Sequence, residues 1–258
     1  MDFPFIISLP HCSGRIPEAI RAHFALSDEE IHESIDLGTM EIFGSLPVKS
    51  VVSALWSRLV VDLNRGADER DPGGVIAERD YRGRRVYRQG LFPDDGEVEN
   101  RLRDYYRPYH KRLTAALEHG GPAFLFDCHS LYGVGPAGAP DPGRRREDII
   151  LGNNGNGRGE DEPFLGALTC PPRILHRIKA AFQKSGFTVS LNNPYSGGFI
   201  TTHYGHRFAA WGLMAVQIEI NQELFADGIR PRPDRLREVK RAVHEAFREM
   251  LRTTCPGS

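Results

Sequence analysis

Short apolar runs, closed by proline, glycine or charge, alternate along this chain with longer stretches of helical spacing. Residues 3–9 are apolar and end at Pro10, the pattern of a buried strand. Residues 51–54 and 58–63 are β-branched and apolar and predict two more strands, the second built on Leu59-Val60-Val61 as in a sheet covered on both faces. Further short strands are predicted at 123–126, 149–151, 187–191 and 215–220. Residues 17–24 suggest a short helix, and Ser27-Asp28-Glu29-Glu30 caps a helix running to about Phe43. Residues 97–118 place Val98, Leu102, Tyr105, Tyr106, Tyr109, Leu113 and Leu117 at helical spacing, with Pro108 predicted to kink the helix and Gly120-Gly121 to stop it. Helices are also predicted over 174–184 and 234–251, and loops over 66–96, 134–146 and 153–162. Strands alternating with helices predict an α/β layered sheet with helices on both faces. With no internal repeat and no break in composition, residues 1–258 read as a single domain.

In such sheets ligands bind beyond the carboxyl ends of the strands. The residues that follow the apolar runs are therefore informative. They are His11-Cys12-Ser13-Gly14, Asp62-Leu63-Asn64-Arg65, Asp127-Cys128-His129-Ser130 and Asn192-Asn193-Pro194-Tyr195-Ser196-Gly197-Gly198. Taken singly, His11 reads as a hydrogen-bonded core histidine, Asn64 as a turn former and Arg65 as a solvated strand end. Glu219 resists a bland reading. It lies between Ile218 and Ile220 in an apolar strand, where an unpaired carboxylate is costly. Such a group has a perturbed pKa and suits a general base. Together these residues predict a metal hydrolase. His11 and His129 supply nitrogen ligands, a carboxylate supplies the third, and one position stays open for water. Glu219 takes the proton of that water, and Arg65 holds an anionic group of the substrate.

Composition narrows the class without deciding it. Lys+Arg and Asp+Glu number 33 and 34, a formal net charge of −1, which excludes a global field for nucleic acid. No apolar run is long enough to span a membrane, and the first residues lack the basic and apolar segments of a signal peptide. The 4 cysteines (Cys12, Cys128, Cys170, Cys255) form no CxxC pair, so reduced thiols in a cytoplasmic protein are expected. Local charge differs from the total. Arg79, Arg82, Arg84, Arg85, Arg88 and Arg144 to Arg146 concentrate in two loops, a candidate lure for a small dicarboxylate.

Seven segments carry a resemblance to a known family. They are Pro10-His11-Cys12-Ser13-Gly14, Val61-Asp62-Leu63-Asn64-Arg65, Gly90-Leu91-Phe92-Pro93, Arg107-Pro108-Tyr109-His110, Asp127-Cys128-His129-Ser130, the run from Gly197 to Gly205, and Val216-Gln217-Ile218-Glu219-Ile220. In this order, over about residues 5–225, they resemble the N-formylglutamate amidohydrolases. That family is similar to the zinc carboxypeptidases, aspartoacylase and succinylglutamate desuccinylase. The resemblance implies a three-layer α/β/α fold with a mixed sheet, phosphorylase/hydrolase-like, and one catalytic zinc. It also implies hydrolysis of an N-acyl amino acid, first N-formyl-L-glutamate as in histidine degradation. Asn64 and Arg65 match the carboxylate-binding pair of the carboxypeptidases, His129 a metal ligand and Glu219 the base. Tyr195, Gly197, Gly198 and His203 fall in segments that shape the substrate pocket, although His203 and Tyr204 read equally well as a structural turn.

One departure is clear. Carboxypeptidases draw two ligands from His-x-x-Glu, but Gly14 stands three residues after His11. Asp36 resembles the family's aspartate at this point and is expected to be the third ligand, with Glu18 and Asp127 as alternatives. Cys12 is a spectator or a weak fourth contact. Two rivals remain: a related amidohydrolase of another N-acyl amino acid or peptide, and a metal-free homologue that binds acidic ligands. Oligomeric state is not legible.

Overall fold

The computed structural model describes residues 3–254. It begins with β1 (Phe3–Leu9), whose alternate residues enter two cores. Three short helices follow: α1 (Glu18–Arg21), α2 (Asp28–His32) and α3 (Thr39–Phe43). After β2 (Val48–Ser53) no helix or strand forms until α4 (Asp95–Arg101). A π-helical turn (Leu102–Tyr106) joins α4 to α5 (Arg107–Gly120). Then come β3 (Phe124–Leu131), β4 (Ile149–Gly152), α6 (Pro172–Lys184), β5 (Val189–Leu191) and α7 (Phe199–Arg207). The chain closes with β6 (Met214–Asn221), a small hairpin of β7 (Ala226–Asp227) and β8 (Arg230–Pro231), and α8 (Pro233–Thr254).

The central sheet has six strands in the order β2-β1-β3-β6-β4-β5. β1, β2, β3 and β6 run parallel, and β4 pairs antiparallel with β6. The mixed α/β sheet flanked by helices agrees with the expected fold. One face carries Phe5, Ile7, Phe126, Cys128, Val216 and Ile218 against Phe182 of α6 and Val243 and Phe247 of α8. The other carries Ile6, Leu125 and Ala215 against Leu113 of α5 and Ile200 and Tyr204 of α7. Covering both faces explains the unbroken apolar runs Phe5–Ile7 of β1 and Phe124–Phe126 of β3.

Several elements differ from the sequence expectation. Residues 59–63 are buried, but the run 58–63 forms no strand. The run 27–43 is broken between α2 and α3, where Gly38 takes a left-handed φ of 76° and Phe225 leaves no room for a Cβ. Helix 97–118 is interrupted by the π turn, and Pro108 falls in the first turn of α5. The run from 197 contains α7, a helix its glycines and β-branched threonines concealed. Among the described residues no helix is long and apolar enough to cross a membrane. Cys12, Cys128 and Cys170 are free thiols, and Cys255 lies outside the described residues.

Candidate functional site

The strands build the floor of the site by their two-residue period. On the α5/α7 face, β3 passes from Leu125 to Asp127 and His129, and β6 from Ala215 to Gln217 and Glu219. The two are in register, with Asp127 opposite Gln217 and His129 opposite Glu219. Beside them β1 adds Ser8, and His11 follows its end. The break between α2 and α3 lets Asp36 approach: its N–H donates to the His11 carbonyl at 3.0 Å, and its own carbonyl accepts from Thr39 Oγ1 at 2.7 Å.

His11, Asp36 and His129 converge with their ligand atoms within 4.8 Å of one another, all three buried. Asp36 Oδ2 is 2.8 Å from His129 Nδ1 and 3.4 Å from His11 Nδ1. Each imidazole has a second carboxylate behind it. His11 Nε2 is 2.8 Å from Asp62 Oδ1, and His129 Nε2 is 3.1 Å from Asp127 Oδ2. This carboxylate–histidine arrangement fixes the tautomer of a metal-ligating histidine and leaves Nδ1 toward the ion. Glu18, one alternative third ligand, is exposed on α1, and Asp127 stands behind a histidine. Cys12 turns to backbone carbonyls of Leu9 and Ala54, and burial pushes its thiol up to about 11.

Four carboxylates surround the two rings, and Arg58 is the cation among them. Arg58 Nη2 donates to Asp62 Oδ2 at 2.7 Å, and Nη1 lies 3.9 Å from Asp36 Oδ1. Burial works against the charges of Asp36 and Asp62, but the neighbouring histidines and Arg58 hold both carboxyls below the ordinary range. Burial likewise opposes a charge on His129, yet Asp127 and Asp36 hold its pKa well above the usual value. The carboxylates thus draw positive charge onto the His129 ring. His11 Nδ1 is buried and has no hydrogen-bond partner among the described residues. An orphaned imidazole nitrogen facing a carboxylate within metal-bridging distance fits a bound cation, so this group can hold a metal ion.

Glu219 is 8 % exposed, and burial raises its pKa to about 7. Gln217 Nε2 donates to Glu219 Oε1 at 2.9 Å, while Gln217 Oε1 accepts the N–H of Gly198 at 2.5 Å. Gly198 in turn abuts Asn64, whose Oδ1 accepts the N–H of Ile200 at 2.8 Å and whose amide nitrogen is 3.2 Å from His129 Nε2. Arg65 is more open, donating to the Gly73 and Asn64 carbonyls.

These residues line a cavity of about 640 Å³. Arg58, Arg65, Arg79 and Arg146 are in its wall, with Tyr195, Gly197 and Gly198. Arg82 and Arg84 are instead engaged with Glu33, and Arg88 with the Phe24 carbonyl. Arg146 is held by both oxygens of Asp141 and lies against the Tyr195 ring. His203 does not reach the cavity wall: it sits on the exposed side of α7, stacked on Phe199. Sequence reasoning does not single out Arg58 or Gln217. The strand period is the available signal for Gln217, two residues before Glu219.

The family model of the N-formylglutamate amidohydrolases matches residues 3–226. The chain belongs to that family. It is 30% identical over 266 residues to N-formylglutamate deformylase of Pseudomonas aeruginosa, covering 96% of this chain and 91% of that protein. It is 29% identical over 243 residues to the enzyme of the same name from Pseudomonas putida, covering 88% and 84%. In structure this amidohydrolase family member resembles an N-formylglutamate amidohydrolase from Ralstonia eutropha, with TM-score 0.76, 22% identity and coverage of 97% and 92%. A protein from Agrobacterium tumefaciens has the same fold, with TM-score 0.70, 22% identity and coverage of 98% and 92%.

Proposed function

We propose that this protein hydrolyses N-formyl-L-glutamate to formate and L-glutamate with one bound zinc ion. The reading is carried by one observation: a buried His11–Asp36–His129 group with an orphaned histidine Nδ1, beside a buried carboxylate in register with one ligand. The names of the two curated relatives supply the substrate. His11 and His129 through Nδ1, with Asp36, would hold the zinc. When bound, the ion supplies Lewis acidity, lowering the pKa of water and polarising a carbonyl.

The remaining chemistry belongs to the chain. Glu219 accepts a proton from the attacking water and returns it to the leaving amine, and Gln217 holds that carboxylate in place. Asp62 and Asp127 keep the two rings oriented. Asn64 and Arg65 bind one substrate carboxylate, which sets the scissile amide over the metal group. Tyr195, Gly197 and Gly198 line the same cavity, Gly198 directly against Asn64, while His203 stays outside the pocket. The substrate is a small anion, and no nucleic acid or membrane surface enters this reading.

The test is metal analysis of purified protein together with a hydrolysis screen over N-acyl amino acids, with and without chelator. Stoichiometric zinc, and N-formyl-L-glutamate as the best substrate, are expected. Full activity after complete metal removal would sink the metal reading. Faster hydrolysis of N-acetyl-aspartate or of C-terminal peptide bonds would replace the substrate.

A further inference from the structure

The segment that carries Arg58, Asp62, Asn64 and Arg65 is largely buried but has no ladder to satisfy its backbone. Its carbonyls are met by side chains from the α4–α5 rod. Arg101 Nη1 donates to the Val60 carbonyl at 3.3 Å, His110 Nε2 to that of Leu63 at 3.1 Å, and the Tyr106 hydroxyl to that of Arg65 at 2.8 Å. The last two bracket the Asn64-Arg65 pair.

Residues 101, 106 and 110 are spaced by five and four. In an uninterrupted α-helix a five-residue step turns about 140° away from the starting face. The π turn absorbs the extra residue, since Arg107 N–H bonds to the Leu102 carbonyl in the i→i+5 pattern. Pro108 gives the reason for its place, having no N–H and crowding the carbonyl four residues earlier in α geometry. His110 is also held from its other side: Nδ1 is 2.9 Å from the Tyr204 hydroxyl, and the ring lies 4.0 Å from that of Tyr106. Burial lowers its pKa to about 4, so the neutral ring donates from Nε2 and accepts at Nδ1. Tyr204 sits on α7, the helix whose Ile200 N–H holds the Asn64 amide.

We propose that Tyr106 and His110, brought to one face by the π turn, are positioning residues that set Asn64 and Arg65 for the substrate carboxylate. This rests on the reading that Asn64 and Arg65 grip that carboxylate. The Arg-Pro-Tyr-His segment thereby acquires a role, with Pro108 making the turn and His110 using it.

The test is steady-state kinetics of metal-loaded Tyr106→Phe, His110→Leu, His110→Gln and Arg65→Ala. The substrates are N-formyl-L-glutamate and its two monoamides. Arg65→Ala identifies which carboxylate the pair holds, through the monoamide on which it matches wild type. Tyr106→Phe is expected to raise KM for N-formyl-L-glutamate about 3–10-fold, the value of one hydrogen bond, with kcat and metal content retained. On that same monoamide the penalty disappears. His110→Leu behaves alike, and His110→Gln, which keeps a donor, recovers part of the loss. A fall in kcat at unchanged KM, or an equal loss on both monoamides, overturns the proposal. If the His110 variants fail to fold, Tyr106→Phe alone decides between these outcomes. An unchanged KM in Arg65→Ala overturns the grip itself, and wild type inert on N-formyl-L-glutamate overturns the functional reading instead.

Discussion

The floor and the wall of the cavity are built by different means. The floor is sheet: Asp127, His129, Gln217 and Glu219 take their places from two strands in register, and each position is fixed by backbone ladders that no side chain needs to maintain. The wall is irregular chain. Asp62, Asn64 and Arg65 depend on side chains of other elements meeting the Leu63 and Arg65 carbonyls, and on Asp62 accepting the Asn64 N–H at 2.9 Å. The difference assigns tasks. On the proposed reading the base Glu219 and one ligand, His129, sit on the floor, while Asn64 and Arg65, the proposed grip on the substrate, sit on the wall. A scaffold of strands is the more exact support for catalytic geometry.

The largest expected effect tests the floor. Glu219→Gln removes the proton acceptor while keeping shape and the neighbouring amide, and kcat should fall about 10²–10⁴-fold with KM little changed. Single-turnover rates with metal content measured in parallel check this. A variant that retains wild-type kcat would remove Glu219 from the reaction. On the proposed reading the same carboxylate sets the pH dependence: a base works ionised, so kcat/KM should rise with pH and level off. Burial puts Glu219 near about 7, and a bound cation favours the ionised form, so the limb should lie at or below that value. A rate that falls as pH rises through 5–7 would contradict the assignment.

A matched pair compares floor with wall. Asp127 stands behind His129 from β3, and Asp62 stands behind His11 from the wall. Each substitution to asparagine should weaken metal affinity about 10–100-fold, the usual value of such partners. Asp62→Asn should also raise KM, because Asp62 accepts from Arg58 and from the Asn64 backbone. Asp127→Asn should leave KM alone. Metal titration and kinetics on both variants decide it, and identical KM values would erase the division between the two regions.

The floor is far more legible in the sequence than the wall. Apolar runs followed by His or Asp announce β1 and β3, and in β6 Glu219 stands out because charge in an apolar strand needs a reason. The wall misleads. Leu59-Val60-Val61 has the composition of a strand, but composition reports burial and says nothing of where the backbone bonds go, and here the Leu59 and Val60 carbonyls go to the side chains of Tyr87 and Arg101. The polar–apolar pattern of 27–43 is continuous and reads as one helix carrying Asp36. α2 ends at His32, and α3 starts afresh from Gly38, whose left-handed φ and packing against Phe225, far away in sequence, leave no room for a side chain. The family resemblance points to Asp36 where local pattern does not. His203 errs the other way: it shares a segment with pocket residues, but helical rotation carries it to the outside.

The smallest expected effect lies at the joint between floor and wall. Gly198 donates to Gln217 on one side and lies against Asn64 on the other, where an added Cβ would fall 2.3–2.7 Å from the amide group. Its φ of −91° is open to any residue, so Gly198→Ala acts by crowding Asn64 and not by backbone strain. Overpacking of this kind costs about 1–3 kcal/mol, and a rise in KM on the order of tenfold should follow as Asn64 shifts. Gln217→Leu breaks the same joint from the floor side. It deletes the amide that links Gly198 to Glu219, and should lower kcat about 3–10-fold while KM stays within about twofold. The two variants thus read opposite sides of one contact. If both moved KM and kcat together, the cavity would be responding as one unit, and the separate construction of floor and wall would have no functional counterpart.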